Sequence, residues 1–307
     1  MRVPALVRAL CVVTGVVVAG GCTSDAEPAH TPSRVPAERM SDDVFHSDEI
    51  SLIEYTKNKL IADCLERNGY PEKNQAGVQE HPGTFDYLVP KASDWATRSD
   101  EQARLLGFGE NSPAEAARVM GLEEGYTKAS DDCRAEAAAE LGPDSVETVS
   151  QASEFANSIA SEIAAVLYDG DGAEAKELTS LYVPVMDCLE TKGYRPSQQG
   201  ERNLEAYGAF EKKGRLEGPE PARPAPASGR ITVLPPVPER RYVPAPEEAE
   251  LAVSLAQCAR QTGFADKEFA LRLRVTRAAI GKYEAELTEL TPKVEALAKR
   301  AAKLVGQ

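Results

Sequence analysis

From Asp48 onward, apolar residues recur at helical spacing: Ile50, Ile53, Leu60, Ile61, Cys64 and Leu65 fall on one face and predict a helix that stops at Gly69. A glycine there suits the left-handed position just past a helix end, with Tyr70 next in line to fold back on Leu65. The same words return as Cys188-Leu189-Glu190 to Gly193-Tyr194, and more loosely as Cys258-Ala259-Arg260 to Gly263-Phe264. In each, the cysteine lies about one turn before the stop. This is the pattern of a helix-end device: a glycine cap, an aromatic lock and a cysteine aimed at the core. No basic or metal-like neighbour recurs beside these cysteines to activate a thiolate, so they read as structural.

Other helices are punctuated as plainly. Ser99-Asp100-Glu101-Gln102 and Ser112-Pro113-Ala114-Glu115 both fit a capping box, the second with proline at the first helical position. A helix carrying Cys133 should end at Gly142-Pro143, and another should run from Val146 to Tyr168, with Asp169-Gly170-Asp171-Gly172 as the turn after it. Pro184 should kink the helix that carries Cys188 or begin its last segment. From Phe269 through Leu273, Thr276, Ile280 and Tyr283 to Leu304, apolar positions alternate steps of four and three, which predicts one long helix over 265–304 kinked at Pro292. That seam packs on the protein's own helices or, alternatively, on another chain. Ile231 to Leu234 is the best strand candidate, and it is short. The expected fold is all-α.

The start of the chain is different. Charged Arg2 and Arg8 flank a short segment, an apolar run follows from Ala9 to Ala19, and Ala19-Gly20-Gly21-Cys22 closes it. The run is too short to cross a bilayer as a lasting helix and has the form of an export signal over 1–21. It resembles the bacterial lipoprotein signal, with Ala19 where Leu is usual. The resemblance implies acylation of Cys22 and residence on the extracytoplasmic face of the cell membrane, held there by the N-terminal lipid. Residues 22–47 are polar, with Pro28, Pro32 and Pro36, the composition of a disordered tether.

Cysteine parity bears on the same question. Of six cysteines, Cys11 leaves with the signal; if Cys22 is acylated, Cys64, Cys133, Cys188 and Cys258 remain, an even set suited to disulfides in an oxidising compartment. A general signal peptidase cutting after Gly21 would leave Cys22 as an odd thiol. Cys64 and Cys133 lie 69 positions apart, and Cys188 and Cys258 lie 70 apart. With the repeated motif, this suggests two copies of one helical module, 48–144 and 145–307, each closed by its own bridge. Four cysteines permit three pairings, and the other two stay open. The second module would hold a proline-rich connector over 218–246 and the long helix.

Charge and motifs exclude more than they identify. Removing residues 1–21 takes two arginines and no acids, so the net charge of −14 becomes −16 and nucleic acid is a poor partner. Histidines are three, two of them in the tether, and no G-x-S-x-G, H-E-x-x-H, C-x-x-C or Walker pattern occurs, so neither catalysis, nor a metal, nor a cofactor is expected. A calcium loop from Asp169 fails, with Ala173 and Glu174 at positions that need a ligand and a glycine. Pro221 to Pro224 could serve as a docking peptide, against the plainer reading of a semi-rigid connection. Phe85, Tyr87 and Trp95, in the least helix-like stretch of the first module, are the candidate contact surface.

At Cys64 to Tyr70, Leu105-Leu106-Gly107-Phe108-Gly109, Cys188 to Tyr194 and Leu251 to Phe264, the chain resembles a family of actinobacterial lipoproteins that has no assigned activity. The resemblance implies a lipid-anchored accessory protein. The expectation is therefore a non-enzymatic interaction module whose partner is a cell-envelope protein or transporter. The alternative is a solute-binding or accessory lipoprotein of an ABC transporter, which would normally need two α/β lobes built on repeated buried strands.

Overall fold

A computed structural model describes residues 42–78, 83–115, 117–120, 124–168, 171–197, 202–220 and 232–306. The signal sequence, Cys22, His81, Pro221 to Pro224, Ile231 and the start of the Asp169 turn lie outside these residues. What is described is mainly helical, as the periodicity requires. In chain order the helices are α1 (Ser47–Arg67), α2 (Glu72–Ala76), α3 (Asp94–Thr97), α4 (Asp100–Leu106), α5 (Glu124–Leu141), α6 (Ser145–Tyr168), α7 (Ala173–Thr191), α8 (Pro246–Thr262), α9 (Phe264–Lys282) and α10 (Glu284–Val305). Four three-residue strands, β1 (Arg118–Met120), β2 (Arg215–Glu217), β3 (Thr232–Leu234) and β4 (Arg241–Val243), form two antiparallel pairs, β1 with β3 and β2 with β4. No described helix is long and apolar enough to cross a membrane.

The helix-end device is realised twice with the same hydrogen bonds. At the end of α1, Tyr70 N–H donates to Leu65 O (2.9 Å) and Gly69 N–H to Glu66 O (3.0 Å); at the end of α7, Tyr194 donates to Leu189 (3.2 Å) and Gly193 to Glu190 (3.1 Å). These are the paired bonds of a Schellman cap, and they satisfy carbonyls the helix itself leaves open. The third copy departs from them: Gly263 is left-handed too, but Phe264 begins α9 at once. Gly69 and Gly193 have φ of +88° and +95° with nothing within 4 Å of an added Cβ. Gly69→Ala or Gly193→Ala should thus cost about 1–2 kcal/mol from backbone strain alone, read as a lower urea midpoint with an unchanged circular dichroism spectrum.

Both disulfides form between the cysteines of near-identical spacing, Cys64 with Cys133 and Cys188 with Cys258, each with Cα atoms 5.6 Å apart. The first staples α1 to α5 and the second α7 to α8. The two largest apolar clusters nevertheless draw from both sides of residue 144. Ala96, Ala103 and Phe108 pack with α7, α8 and Phe264, while Ile50 and Ile53 of α1 pack with α6 and α10. Each half lends helices to the other's core, because amphipathic helices bury their faces wherever a complementary face is nearest.

Several local expectations yield to longer-range contacts. Helical structure begins with a 3₁₀ turn at Asp42–Phe45 rather than at 48, because Phe45 is buried in the core beside Ile50 and Ile53. Ser112-Pro113-Ala114-Glu115 starts no helix. Ser112 exchanges backbone hydrogen bonds with Arg240 (2.8 and 2.9 Å) and Glu115 with Val237 (2.9 Å both ways), so the described end of the proline-rich connector pairs with this segment and buries Tyr242. Pro184 lies inside α7 without dividing it.

The expected long helix over 265–304 is two helices. It breaks at Tyr283, not at Pro292, which sits within α10. Gly281 weakens the helix just before the break, and the Tyr283 ring packs edge-on against Phe155 with centroids 5.9 Å apart. The break changes the phase. On α10 the seam of Leu290, Val294, Leu297 and Ala301 is buried as its spacing predicts, whereas α9 buries Phe264, Glu268, Leu271, Val275, Thr276 and Ala279 and leaves Phe269 43% exposed.

Candidate functional site

The proposed contact surface does not come together. Phe85 is buried in the core with α1, α6 and α10; Tyr87 lies beside it, centroids 6.4 Å apart, and is 59% exposed. Trp95 belongs to the other large cluster. There it meets Phe264 at 4.9 Å, Phe210 at 6.1 Å and Tyr182 at 6.5 Å between ring centroids, and Phe108 reaches Phe210 at 5.5 Å. Five rings from five chain segments thus form one continuous aromatic body. The four cysteines are all bonded in pairs.

Beside this body opens a groove of about 290 Å³. Tyr182 and Thr179 of α7 form one side, and Arg202, Asn203, Leu204 and Glu205 form the other, in the loop that runs through the 3₁₀ turn Glu205–Tyr207. Phe210 also lines it. Leu204 is buried, Arg202 reaches back to Asp187 in a salt bridge, and the Asn203 carboxamide accepts from Ala206 N–H (2.7 Å). Phe210 has a φ of +68°, left-handed for a bulky residue, and the residue is 39% exposed while its ring packs against Trp95 and Phe108. Such a conformation costs free energy and persists only where the surroundings enforce it.

Two buried carboxylates brace the segments around the aromatic body. Glu248 of α8 accepts from the backbone N–H of Phe108 (2.8 Å) and of Lys213 (2.8 Å), and from the Tyr242 hydroxyl (2.9 and 3.1 Å). It therefore clamps the segments on both sides of the Phe108–Phe210 contact. Burial pushes the Tyr242 phenol up, and its hydrogen bond to Glu248 adds to that. Glu268 of α9, fully buried, accepts from Ser93 N–H (2.7 Å), from Ser93 Oγ (2.8 Å), and from Arg272 Nε and Nη2 (2.9 and 2.8 Å). That fixes the entry to α3 and hence Trp95. Arg272 in turn lies over the Tyr168 ring, 5.9 Å from its centroid. Burial, with the Glu268 charge as a lesser contribution, pushes the Tyr182 phenol up to about 12, so it stays protonated at neutral pH.

The Gly107-Phe108-Gly109 motif now has a physical reason. A Cβ on Gly107 would fall 2.4 Å from Glu248 Oε1, and one on Gly109 would fall 2.2 Å from the Tyr242 ring. Both glycines let the backbone approach the clamp. Sequence reading passed over Tyr182, Arg202 and Phe210 because no spacing joins α7 to the loop after it. The nearest signal was Phe210 itself, a large apolar residue two positions after Gly208 and directly before Glu211-Lys212-Lys213.

A second hollow of about 330 Å³ lies between α6 and α10, beside Phe155 and Tyr283 and edged by Glu154, Glu286 and Glu289. Among the described residues, no group of three His, Cys, Asp or Glu side chains is placed to hold a metal ion. What the first groove offers is contact chemistry: an aromatic wall and polar groups of both signs. Set against known protein families, curated proteins and solved structures, the chain matches none of them significantly.

Proposed function

We propose that this protein is a lipid-anchored helical interaction module on the extracytoplasmic face of the cell envelope, held at Cys22 and non-enzymatic. One observation carries the reading. Cys64, Cys133, Cys188 and Cys258 are all consumed in two disulfides, so once Cys11 leaves with the signal, Cys22 is the one cysteine free for acylation. The likeness to actinobacterial lipoproteins supports the same assignment. We place the contact surface at the groove beside Phe210 rather than at Phe85 and Tyr87, because the groove sets Phe210, 39% exposed, beside Tyr182 and polar groups of both signs. Among the described residues the strands are four of three residues each, which lends a solute receptor with two α/β lobes no support.

The anchor is tested by labelling cells with an alkynyl palmitate analogue and fractionating them. Wild type should carry the label and sediment with membranes, whereas Cys22→Ala should lose the label and appear in the soluble fraction or the medium. An unlabelled wild type, or a variant that stays in the membrane, would sink the anchor. The interaction reading is tested separately by a photo-crosslinking amino acid at position 210 in living cells.

A further inference from the structure

The repeated helix-end device carries two bridges that are not equally guarded. We propose that Cys188 is a site of thiol–disulfide exchange, open to attack by an external dithiol, whereas the Cys64–Cys133 bridge is closed to it. The two bridges sit on matching helix ends, so they compare position by position. On the first, Cys64 and Cys133 are both buried, at 2% and 0% exposure. Asn68, four residues after Cys64, lays its Nδ2 3.5 Å from the Cys64 sulfur and 3.6 Å from the Cys133 sulfur. Glu136, three residues after Cys133, brings Oε2 to 3.4 Å from the Cys64 sulfur and is paired there with Arg67 in a salt bridge. A carboxamide and a carboxylate thus lie against the sulfurs, where an incoming thiolate would need room.

On the second bridge the same positions carry different chemistry. Cys258 is fully buried, but Cys188 is only partly so, and its sulfur meets Gln261 Oε1 at 3.3 Å in a contact open to solvent. Gln261 stands where Glu136 stands on the first bridge, Thr191 where Arg67 does and Lys192 where Asn68 does. Lys192 turns its ammonium to the neutral carboxamide of Gln257 (2.8 Å), which leaves the charge in place. The guard is gone, and a cation one turn from Cys188 favours both the approaching thiolate and the thiolate that Cys188 becomes. The exchange balances as two displacements. One thiolate of the dithiol attacks Cys188 Sγ, the Cys188–Cys258 bond breaks, and Cys258 leaves with the electron pair and takes a proton. The second thiolate then attacks its partner sulfur in the mixed disulfide and releases Cys188, so the dithiol ends oxidised and the bridge reduced to two thiols. Because this bridge ties α7 to α8 within the cluster that holds Trp95, reduction frees the two helices from each other there.

The test uses the full mature chain with Cys22→Ala, so that the bridged cysteines alone report. It is held in dithiothreitol without denaturant, quenched at intervals with excess iodoacetamide, and read cysteine by cysteine by mass spectrometry. Cys188 and Cys258 should be labelled at least about tenfold faster than Cys64 and Cys133. A dithiol oxidoreductase whose second active-site cysteine is replaced by serine should be caught as a mixed disulfide at Cys188. Thr191→Arg/Lys192→Asn/Gln261→Glu transplants the first bridge's guard onto exposed positions. It should slow labelling at Cys188 about tenfold, with the urea midpoint of the oxidised protein near that of wild type. Asn68→Lys/Glu136→Gln should conversely speed reduction of the first bridge. The proposal is overturned by equal rates at the two bridges, by a mixed disulfide at Cys258 or none at all, or by guard variants that leave both rates as they are in wild type.

Discussion

Removing the Cys188–Cys258 disulfide as Cys188→Ala/Cys258→Ala should lower the unfolding free energy by about 4 kcal/mol, the loop-closure value for a span of this length. The bridge closes 70 residues and joins α7 to α8 inside the cluster that holds Trp95. The unfolded chain without it gains the freedom of that whole loop, so the effect acts mainly on the unfolded state. The Cys64–Cys133 bridge closes 69 residues, so Cys64→Ala/Cys133→Ala should cost about the same. The two differ in where the damage shows. Urea unfolding followed by Trp95 emission should report the first pair early, whereas far-ultraviolet circular dichroism should report both. If either double variant unfolds within 1 kcal/mol of wild type, that bridge is an ornament of the fold and not a staple.

Glu248→Leu should be the most damaging single change near the groove, at about 3 kcal/mol or more. It would leave the Phe108 and Lys213 N–H groups and the Tyr242 hydroxyl without their acceptor, and each such buried group costs about 1–3 kcal/mol. Glu248→Gln keeps one acceptor oxygen and turns a donor toward groups that themselves donate, so its loss should be intermediate. The order Glu, Gln, Leu in urea midpoints is the signature of a hydrogen-bond hub. An order set by side-chain hydrophobicity, with Leu above Gln, would show that the carboxylate is replaceable by packing. Because this hub holds the segments that flank Phe210, Glu248→Gln should also loosen the groove, read as a change in Trp95 emission under native conditions.

Legibility in the sequence followed the range of the interaction concerned. The caps at Gly69 and Gly193, the capping box at Ser99, the ends of α5 and α6 and the seam of α10 rest on residues within a turn or two of one another, so spacing alone reveals them. The capping box at Ser112 shows the limit of that logic. Its local chemistry is sound, but Arg240 and Val237 offer the same backbone groups better partners from far along the chain. Glu268 shows the limit of hydrophobic patterning. A carboxylate on the buried side of α9 breaks the apolar count, and only Ser93 and Arg272 explain why it is there. Phe85 and Trp95 stand close in sequence and in one loop-rich stretch, yet they belong to different cores.

Taken alone, the chain determined its helical class, its near-identical cysteine spacings and the chemistry of its helix ends, since periodicity, parity and capping are all carried by neighbouring residues. Tertiary structure decided which cysteines pair, where the last long helix breaks and which aromatic rings meet. These depend on contacts between segments dozens to hundreds of residues apart, where competing partners for one backbone group or one apolar face can be ranked only once the chain is folded. The groove beside Phe210 belongs wholly to that second kind: its walls and the two carboxylates that brace the segments around the aromatic body come from separate elements that no local pattern connects.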